Sequence, residues 1–228
     1  KVSSPQMARR HRPALGFETG DQVMLTFFHA PHSRSSAIHR LLAELGVPLE
    51  TRIVDIRAEG GVPASYRSIQ AHGKVPAIIH DGVTVTERAA IAIHLCDAFP
   101  QAGLAPPVGD RLRGPYLSWL TYVDAVLDPA ITAHMNRWQY EPRGVAFGTF
   151  DDALANVERA LAASPYITGD RFTAADVALG SAMYWGLDIL KVVPETPVFR
   201  GYLDRVSRRS AFHRTIGEDP AEGAAQAA

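Results

Sequence analysis

The chain has 228 residues, of which 46% are hydrophobic and 21% charged, with a formal net charge of −1. This composition suits one large or two small packed domains, and the near-neutral charge leaves no electrostatic footprint for nucleic acid or anionic lipid. No apolar run approaches the roughly 18 residues of a membrane span. The single cysteine, Cys96, excludes an intramolecular disulfide framework and fits a reducing compartment, so the cytoplasm is the expected location.

Residues 1–22 hold the basic cluster Arg9-Arg10-His11-Arg12, several turn formers and no apolar periodicity. They read as a flexible arm without the apolar stretch of a secretory signal. Val23-Met24-Leu25-Thr26-Phe27-Phe28 is a buried-strand candidate. Ile38, Leu41, Leu42 and Leu45 then recur at helical spacing until Gly46 and Pro48 stop the helix. A second strand is expected over 49–56, around Thr51-Arg52-Ile53-Val54, and a short helix over 64–72. His72-Gly73-Lys74-Val75-Pro76-Ala77-Ile78-Ile79 follows, then Asp81-Gly82 and Val83-Thr84-Val85-Thr86-Glu87. A proline opening an apolar strand, an Asp-Gly connection and a second strand running into an acidic helix start form a hairpin with a helix on its exit. That helix is expected over 87–99, with Ile91 and Leu95 on one face.

Residues 100–110, with three prolines and two glycines, read as a linker. Beyond it no strand signal survives. Tyr116, Trp119, Leu120, Val123, Leu127, Ile131, Met135 and Trp138 keep a three-or-four spacing along one long helix, expected to kink at Pro129 and to end at Pro142. A further helix is expected over 151–163 on Leu154, Val157 and Leu161. In Ile167-Thr168-Gly169-Asp170-Arg171-Phe172-Thr173-Ala174-Ala175-Asp176-Val177, Thr173 and Asp176 are spaced as a capping box, and Phe172 and Val177 as a hydrophobic staple.

Two of these segments carry a family resemblance. Gly73-Lys74-Val75-Pro76 with Thr86-Glu87 resembles the signature of the thioredoxin-like domain of the glutathione S-transferase superfamily. The Thr173–Asp176 box resembles the one that opens the core helix of that family's helical domain. The resemblance covers about residues 23–215. It implies an α/β thioredoxin-like N-terminal domain of order βαβαββα over 23–99, a linker over 100–110, an all-α domain over 111–216 and a flexible tail over 217–228. It further implies a cis bond between Val75 and Pro76, turning the Val75 backbone toward the cysteinyl part of glutathione as an added strand would be. Glutathione is then the co-substrate, and no metal is expected, since the nine histidines form no metal-binding pattern. The expected partners are glutathione, a small hydrophobic electrophile and, by resemblance, a second copy of the chain in a homodimer, with no nucleic acid and no membrane.

Members of this family carry a tyrosine, serine or cysteine in the turn after the first strand. Here that turn is Ala30-Pro31-His32-Ser33-Arg34-Ser35-Ser36; alignment with the bacterial cysteine-type class puts Phe28 at the tyrosine position and Ser33 at the cysteine position. A mixed disulfide through a protein cysteine at this position is therefore excluded. A serine hydroxyl at a helix start can instead donate to the thiolate. Ser33 is the first candidate, Ser35 and Ser36 are alternatives, and plain helix capping by these serines is the competing reading. The acid–serine pair by which the family holds the γ-glutamyl group is here Glu87-Arg88. Arg88 either meets that carboxylate as a cation or points to solvent, and weakened glutathione affinity is expected. His72 and Lys74 either meet the glycyl carboxylate or form a solvated loop face. Tyr116, Trp119, Tyr122, Met135 and Trp138 are candidates for an electrophile pocket between the domains, with core packing as the alternative for such a stripe; the Tyr122 hydroxyl is a further candidate for reaching the thiolate. The expected function is glutathione transfer to a hydrophobic electrophile. The alternatives are a glutathione-dependent isomerase or peroxidase of the same fold, and a non-catalytic binding protein.

Overall fold

The structure is a computed structural model that describes residues 25–218. The arm expected over 1–22, Val23 and Met24 of the first expected strand, and residues 219–228 lie outside the described residues.

The N-terminal half runs β1 (Leu25–His29), α1 (Ser36–Leu45), β2 (Glu50–Ile53), α2 (Ala64–Arg67), β3 (Ala77–His80), β4 (Val83–Thr86) and α3 (Arg88–Ala98). This is the thioredoxin-like order. The sheet has the strand order β2-β1-β3-β4, with β1 parallel to β2, β3 antiparallel to β1, and β4 antiparallel to β3. β1 is buried along its whole length because both its faces are covered. Phe27 belongs to the main core, whereas Phe28 joins a smaller cluster with Val54, Val62, Tyr66 and Ala77, as alternation along a strand requires. β2 is shorter than the expected 49–56. It ends where Val54 N–H donates to the His29 carbonyl (2.7 Å) and Asp55 starts a side-chain turn by accepting from Arg57 N–H (2.9 Å). The β3–β4 connection has Asp81 at φ 50° and Gly82 at φ 77°, the left-handed pair of a two-residue hairpin.

The C-terminal half has α4 (Arg113–Tyr122), a π-helical turn (Val123–Leu127), α5 (Asp128–Met135), α6 (Phe150–Ala163), α7 (Ala174–Tyr184), a second π-helical turn (Trp185–Ile189), α8 (Pro197–Ser207) and α9 (Ser210–Glu218). The first π-helical turn lies directly ahead of Pro129, which has no N–H to offer the regular ladder. The long helix ends at Met135, well before Pro142. Arg137 there adopts φ 54°, its N–H donates to the His134 carbonyl (3.1 Å), and Trp138 N–H donates to the Ala133 carbonyl (3.0 Å). This is a Schellman closure that satisfies the last carbonyls without glycine. Trp138 therefore leaves the helical stripe and is 55% exposed.

α1 packs against α7 and α9, so one core passes from Phe27 and Leu41 to Leu179 and Tyr202. Arg209 adds a bidentate pair to Glu44 of α1 (2.6 and 2.7 Å). At Gly186, in the second π-helical turn, an added Cβ would lie 2.5 Å from Val193 Cγ2, and the Gly186 carbonyl is held by the N–H groups of Val192 and Val193 (2.9 and 3.0 Å). Gly186→Ala is expected to cost about 1–3 kcal/mol through overpacking. A shift in the urea midpoint measures it, and adding Val193→Ala should recover part of the loss.

Candidate functional site

The sheet register brings three distant segments to one end. Phe28 in β1 pairs with Ala77 in β3, and Ala77 pairs with Thr86 in β4. The residues just beyond these pairs are therefore neighbours: the turn from Ala30 to Ser35, the Val75–Pro76 bond, and Glu87 with Arg88. The Val75–Pro76 bond is cis.

In the serine turn, His32 has φ 56°. Its carbonyl and that of Pro31 accept from the Arg57 guanidinium (2.7 and 3.2 Å), so a residue just past the first crossover pins the loop. Ser33 is half-buried, and its hydroxyl donates to the Ala30 carbonyl (2.7 Å) and lies 2.7 Å from Ser35 Oγ. Ser35 and Ser36 are buried, at 0% and 4% exposure, so Ser33 is the serine of this turn that borders open space. Ser35 occupies the N-cap position of α1 but makes no side-chain cap bond. Its hydroxyl faces inward to His29 Nδ1 (2.7 Å) and to the backbone of Ala30. The Ser35 hydroxyl therefore makes no cap bond and lies behind Ser33, off the cleft lining.

The loop ahead of Val75 is held from beneath. Tyr66 donates to the Lys74 carbonyl (2.6 Å), and the buried Gln70 accepts from Lys74 N–H (3.3 Å). Burial pushes the Tyr66 hydroxyl up to about 12, so it stays a donor. His72 and Lys74 have exposed side chains, and Val75 is half-buried. Glu87 is exposed at φ 68°, ψ 127°, a sparsely populated conformation for a residue with a side chain, of the kind that collects at ligand sites.

Arg88 does not point to solvent. Its side chain is 14% exposed, and the guanidinium meets Asp128 (2.6 Å) and Asp124, both from the helical half, while bordering the cleft. Arg34 adds a fork to Asp128 (2.6 and 2.7 Å) and reaches Thr132 (2.8 Å). Asp124 also accepts from Ala89 N–H at the start of α3 (3.0 Å). Two arginines and two aspartates thus clamp the halves together at the site. Burial pushes the Asp124 carboxyl up, whereas Asp128, desolvated as well, is held below its usual range by hydrogen bonds and charge from Arg34 and Arg88. Arg88→Ala is expected to destabilise by about 1–3 kcal/mol, below the ~3–5 kcal/mol of a fully buried pair because Asp124 keeps 24% of its exposure. Urea unfolding measures this; a loss of glutathione affinity at unchanged stability would instead make Arg88 a ligand contact.

Between the halves lies a cleft of about 330 Å³, within the range of small-molecule sites. Its polar rim includes Ser33, Arg34 and Arg88, and its apolar wall is Ile131, Met135, Trp185 and Leu190. Of the proposed aromatic stripe only Met135 lines it. Tyr116 is fully buried, with the Arg113 guanidinium over its ring (5.5 Å). Tyr122 stacks edge-on with Trp119 (5.1 Å) and donates to the Ala153 carbonyl of α6 (3.1 Å), so neither Trp119 nor Tyr122 borders the cleft. The buried stripe continues from Tyr116 through Leu120, Val123 and Leu127 to Ile131, and it is its far end, Ile131 and Met135 of α5, that borders the cleft beside the serine turn. A larger hollow of about 560 Å³ around Asp188, Lys191 and Arg200 contains none of the expected site residues. Cys96 is buried, and desolvation pushes its thiol up to about 11. It is expected to resist a thiol-labelling disulfide reagent until denaturant is added, which a native-versus-unfolded labelling time course reads directly. Among the described residues no group of histidine, cysteine and acidic side chains could hold a metal.

Sequence reasoning missed His29, Arg57, Asp124 and Asp128. Only the aspartates left a signal, as an i, i+4 acidic pair on a predicted helix.

Family models for the glutathione S-transferase N-terminal domain and C-terminal domain match residues 23–97 and 128–205. Glutathione S-transferase 3 of Schizosaccharomyces pombe is 30% identical over 171 residues, 67% of this chain and 70% of that protein. Glutathione S-transferase GstA of Escherichia coli O157:H7 is 28% identical over 192 residues, 81% of this chain and 94% of that one. Among solved structures, a glutathione transferase from Methylococcus capsulatus superposes with a TM-score of 0.73 at 30% identity, covering 87% of this chain and 98% of its own. A sphingomonad glutathione S-transferase complexed with glutathione gives 0.71 at 27% identity, covering 87% and 98%. With both halves of the fold matched and the serine turn, the Val75–Pro76 bond and the Glu87 turn brought to one end of the sheet, this chain belongs to the glutathione S-transferase family.

Proposed function

We propose that the protein is a glutathione transferase in which Ser33 stabilises the glutathione thiolate for attack on a hydrophobic electrophile. The observation that carries this reading is the convergence at one sheet end of the Ser33 hydroxyl, the Val75 backbone and the Glu87 turn, beside a cleft with an apolar wall. A free thiol titrates near about 8.5, and each unit of lowering needs about 1.36 kcal/mol of preference for the thiolate. One charge-assisted hydrogen bond supplies about 1.5–3 kcal/mol, and the start of α1 adds about 0.3–1 kcal/mol. Ser33 donates its hydrogen to the sulfur in place of the Ala30 carbonyl. The Val75 backbone pairs with the cysteinyl unit, and Glu87 takes the amino group. The electrophile rests on Ile131, Met135, Trp185 and Leu190; the sulfur bonds to its electrophilic carbon as the leaving group departs or an unsaturated bond is saturated.

Glutathione affinity in this reading is modest. Arg88 is committed to Asp124 and Asp128, and Ala89 N–H to Asp124, so fewer donors remain at the start of α3 for the γ-glutamyl carboxylate. His72 and Lys74, exposed on the loop, are assigned to the glycyl carboxylate. The homodimer and the cytoplasmic location belong to the same proposal. Its test is a glutathione titration by calorimetry, joined to ultraviolet absorbance of the bound thiol against pH. Saturable binding weaker than micromolar, with a thiol pKa below that of free glutathione, is expected. Absence of saturable binding refutes the reading, and sub-micromolar binding refutes the weakened γ-glutamyl contact.

A further inference from the structure

We propose that His29 is a positioning residue for the reaction, turning the Ser33 hydroxyl toward the thiolate through a buried hydrogen-bond chain, His29 Nδ1–Ser35 Oγ–Ser33 Oγ. The proposal rests on the reading of Ser33 as the thiolate donor. The two links are each 2.7 Å, the usual length of a good hydrogen bond to a hydroxyl. His29 is 5% exposed and Ser35 0%, so bulk water cannot take the place of either partner.

Proton bookkeeping sets the direction of the chain. A serine hydroxyl has one hydrogen and two lone pairs. The Ser35 oxygen receives Ala30 N–H (3.2 Å), and a proton on His29 Nδ1 fills its second lone pair. The Ser35 hydrogen then has two acceptors, the Ala30 carbonyl at 3.2 Å and Ser33 Oγ at 2.7 Å, and the shorter link to Ser33 Oγ is the one the chain uses; Ser33 Oγ also receives Ser35 N–H (3.2 Å). With both its lone pairs filled, Ser33 can only donate: to the Ala30 carbonyl 2.7 Å away, or to a sulfur entering the cleft. A charged acceptor takes a hydroxyl hydrogen in preference to a neutral carbonyl, and donors aligned in one direction polarise one another. If Nδ1 carried no proton, Ser35 would donate to the imidazole, and its oxygen would draw the Ser33 hydrogen inward, away from the thiol. The Nδ1–H form of His29 is therefore the one that directs the chain outward. The ring is held in place by Phe27 on one side (centroids 5.3 Å apart) and lies 5.1 Å from that of His39.

The test follows the bound glutathione thiol by ultraviolet absorbance in the full chain and in Ser33→Ala, Ser35→Ala, His29→Leu and His29→Asn. The asparagine amide nitrogen can occupy the place of Nδ1 and donate; leucine fills similar space and cannot. Relative to wild type, the thiol pKa is expected to rise by about one to two units in Ser35→Ala and His29→Leu and to stay within about half a unit in His29→Asn. Binding of S-methylglutathione, which has no thiol to ionise, is expected to stay unchanged in all four variants. An unchanged pKa in both Ser35→Ala and His29→Leu, alongside a raised one in Ser33→Ala, overturns the chain and leaves the role of Ser33 standing. A pKa raised equally by Leu and Asn, or parallel losses of S-methylglutathione affinity, assigns His29 a merely structural role and also overturns it. A thiol pKa unaffected by Ser33→Ala overturns both readings together.

Discussion

Ser33→Ala is expected to lower kcat/KM for conjugation of a hydrophobic aryl halide by about 10- to 100-fold at neutral pH, the kinetic equivalent of one lost charge-assisted hydrogen bond. The loss should appear in the thiolate-dependent rate and not in glutathione binding, because the Val75 backbone and Glu87 are untouched. The sign with pH follows from the chemistry. Below roughly 8.5 the wild type holds thiolate that the variant lacks; above it solvent ionises the thiol in both, and the gap should narrow. Steady-state rates across that range are the measurement. A gap of constant size, or none, would show that the hydroxyl does not act on thiol ionisation.

The largest expected effect on stability lies far from the cleft, at Asp176→Ala. The carboxylate is fully buried and accepts from Ile167 N–H (2.8 Å), Thr173 N–H (2.9 Å), Thr173 Oγ1 (3.1 Å) and the Tyr202 hydroxyl (3.1 Å). Burial alone pushes its pKa up, and those four donors work against that shift. Alanine would strand two backbone N–H groups and two hydroxyls where water does not reach, a loss of about 3–5 kcal/mol. That is a large share of the roughly 5–15 kcal/mol by which domains are stable. Urea unfolding at neutral pH should show it, with Asp176→Asn falling in between because the amide oxygen retains part of the acceptor capacity. A loss under about 1 kcal/mol would mean that those donors find other partners.

Much of the frame was legible because its determinants are local. The Asp81-Gly82 turn, the Gly46 stop of α1 and the Thr173–Asp176 box each act within a few residues, and each is found at its expected place. The end of α5 was misread because the stop signal is no proline or glycine: Arg137 adopts the left-handed conformation without any compositional sign. The place of the aromatic stripe was not legible for a related reason. Helical spacing gives the face that residues share, but not how far along the helix the neighbouring half meets it, and the cleft lies at Ile131 and Met135 and not at Tyr116, Trp119 and Tyr122. The ion pairs of Arg88 were not legible because its partners, Asp124 and Asp128, lie 36 and 40 positions further along the chain.

The sequence by itself determined the thioredoxin-like order, the helical second half, the family and the serine turn, since propensity, caps and turn chemistry are short-range and are written in consecutive residues. Tertiary structure alone decided which serine faces the cleft, that Ile131, Met135, Trp185 and Leu190 form its wall, that Arg88 closes an ion-pair clamp, and that His29 stands behind Ser35. Those outcomes depend on sheet register and on the packing of α1 and α3 against the helical half, which bring together groups that no local pattern relates.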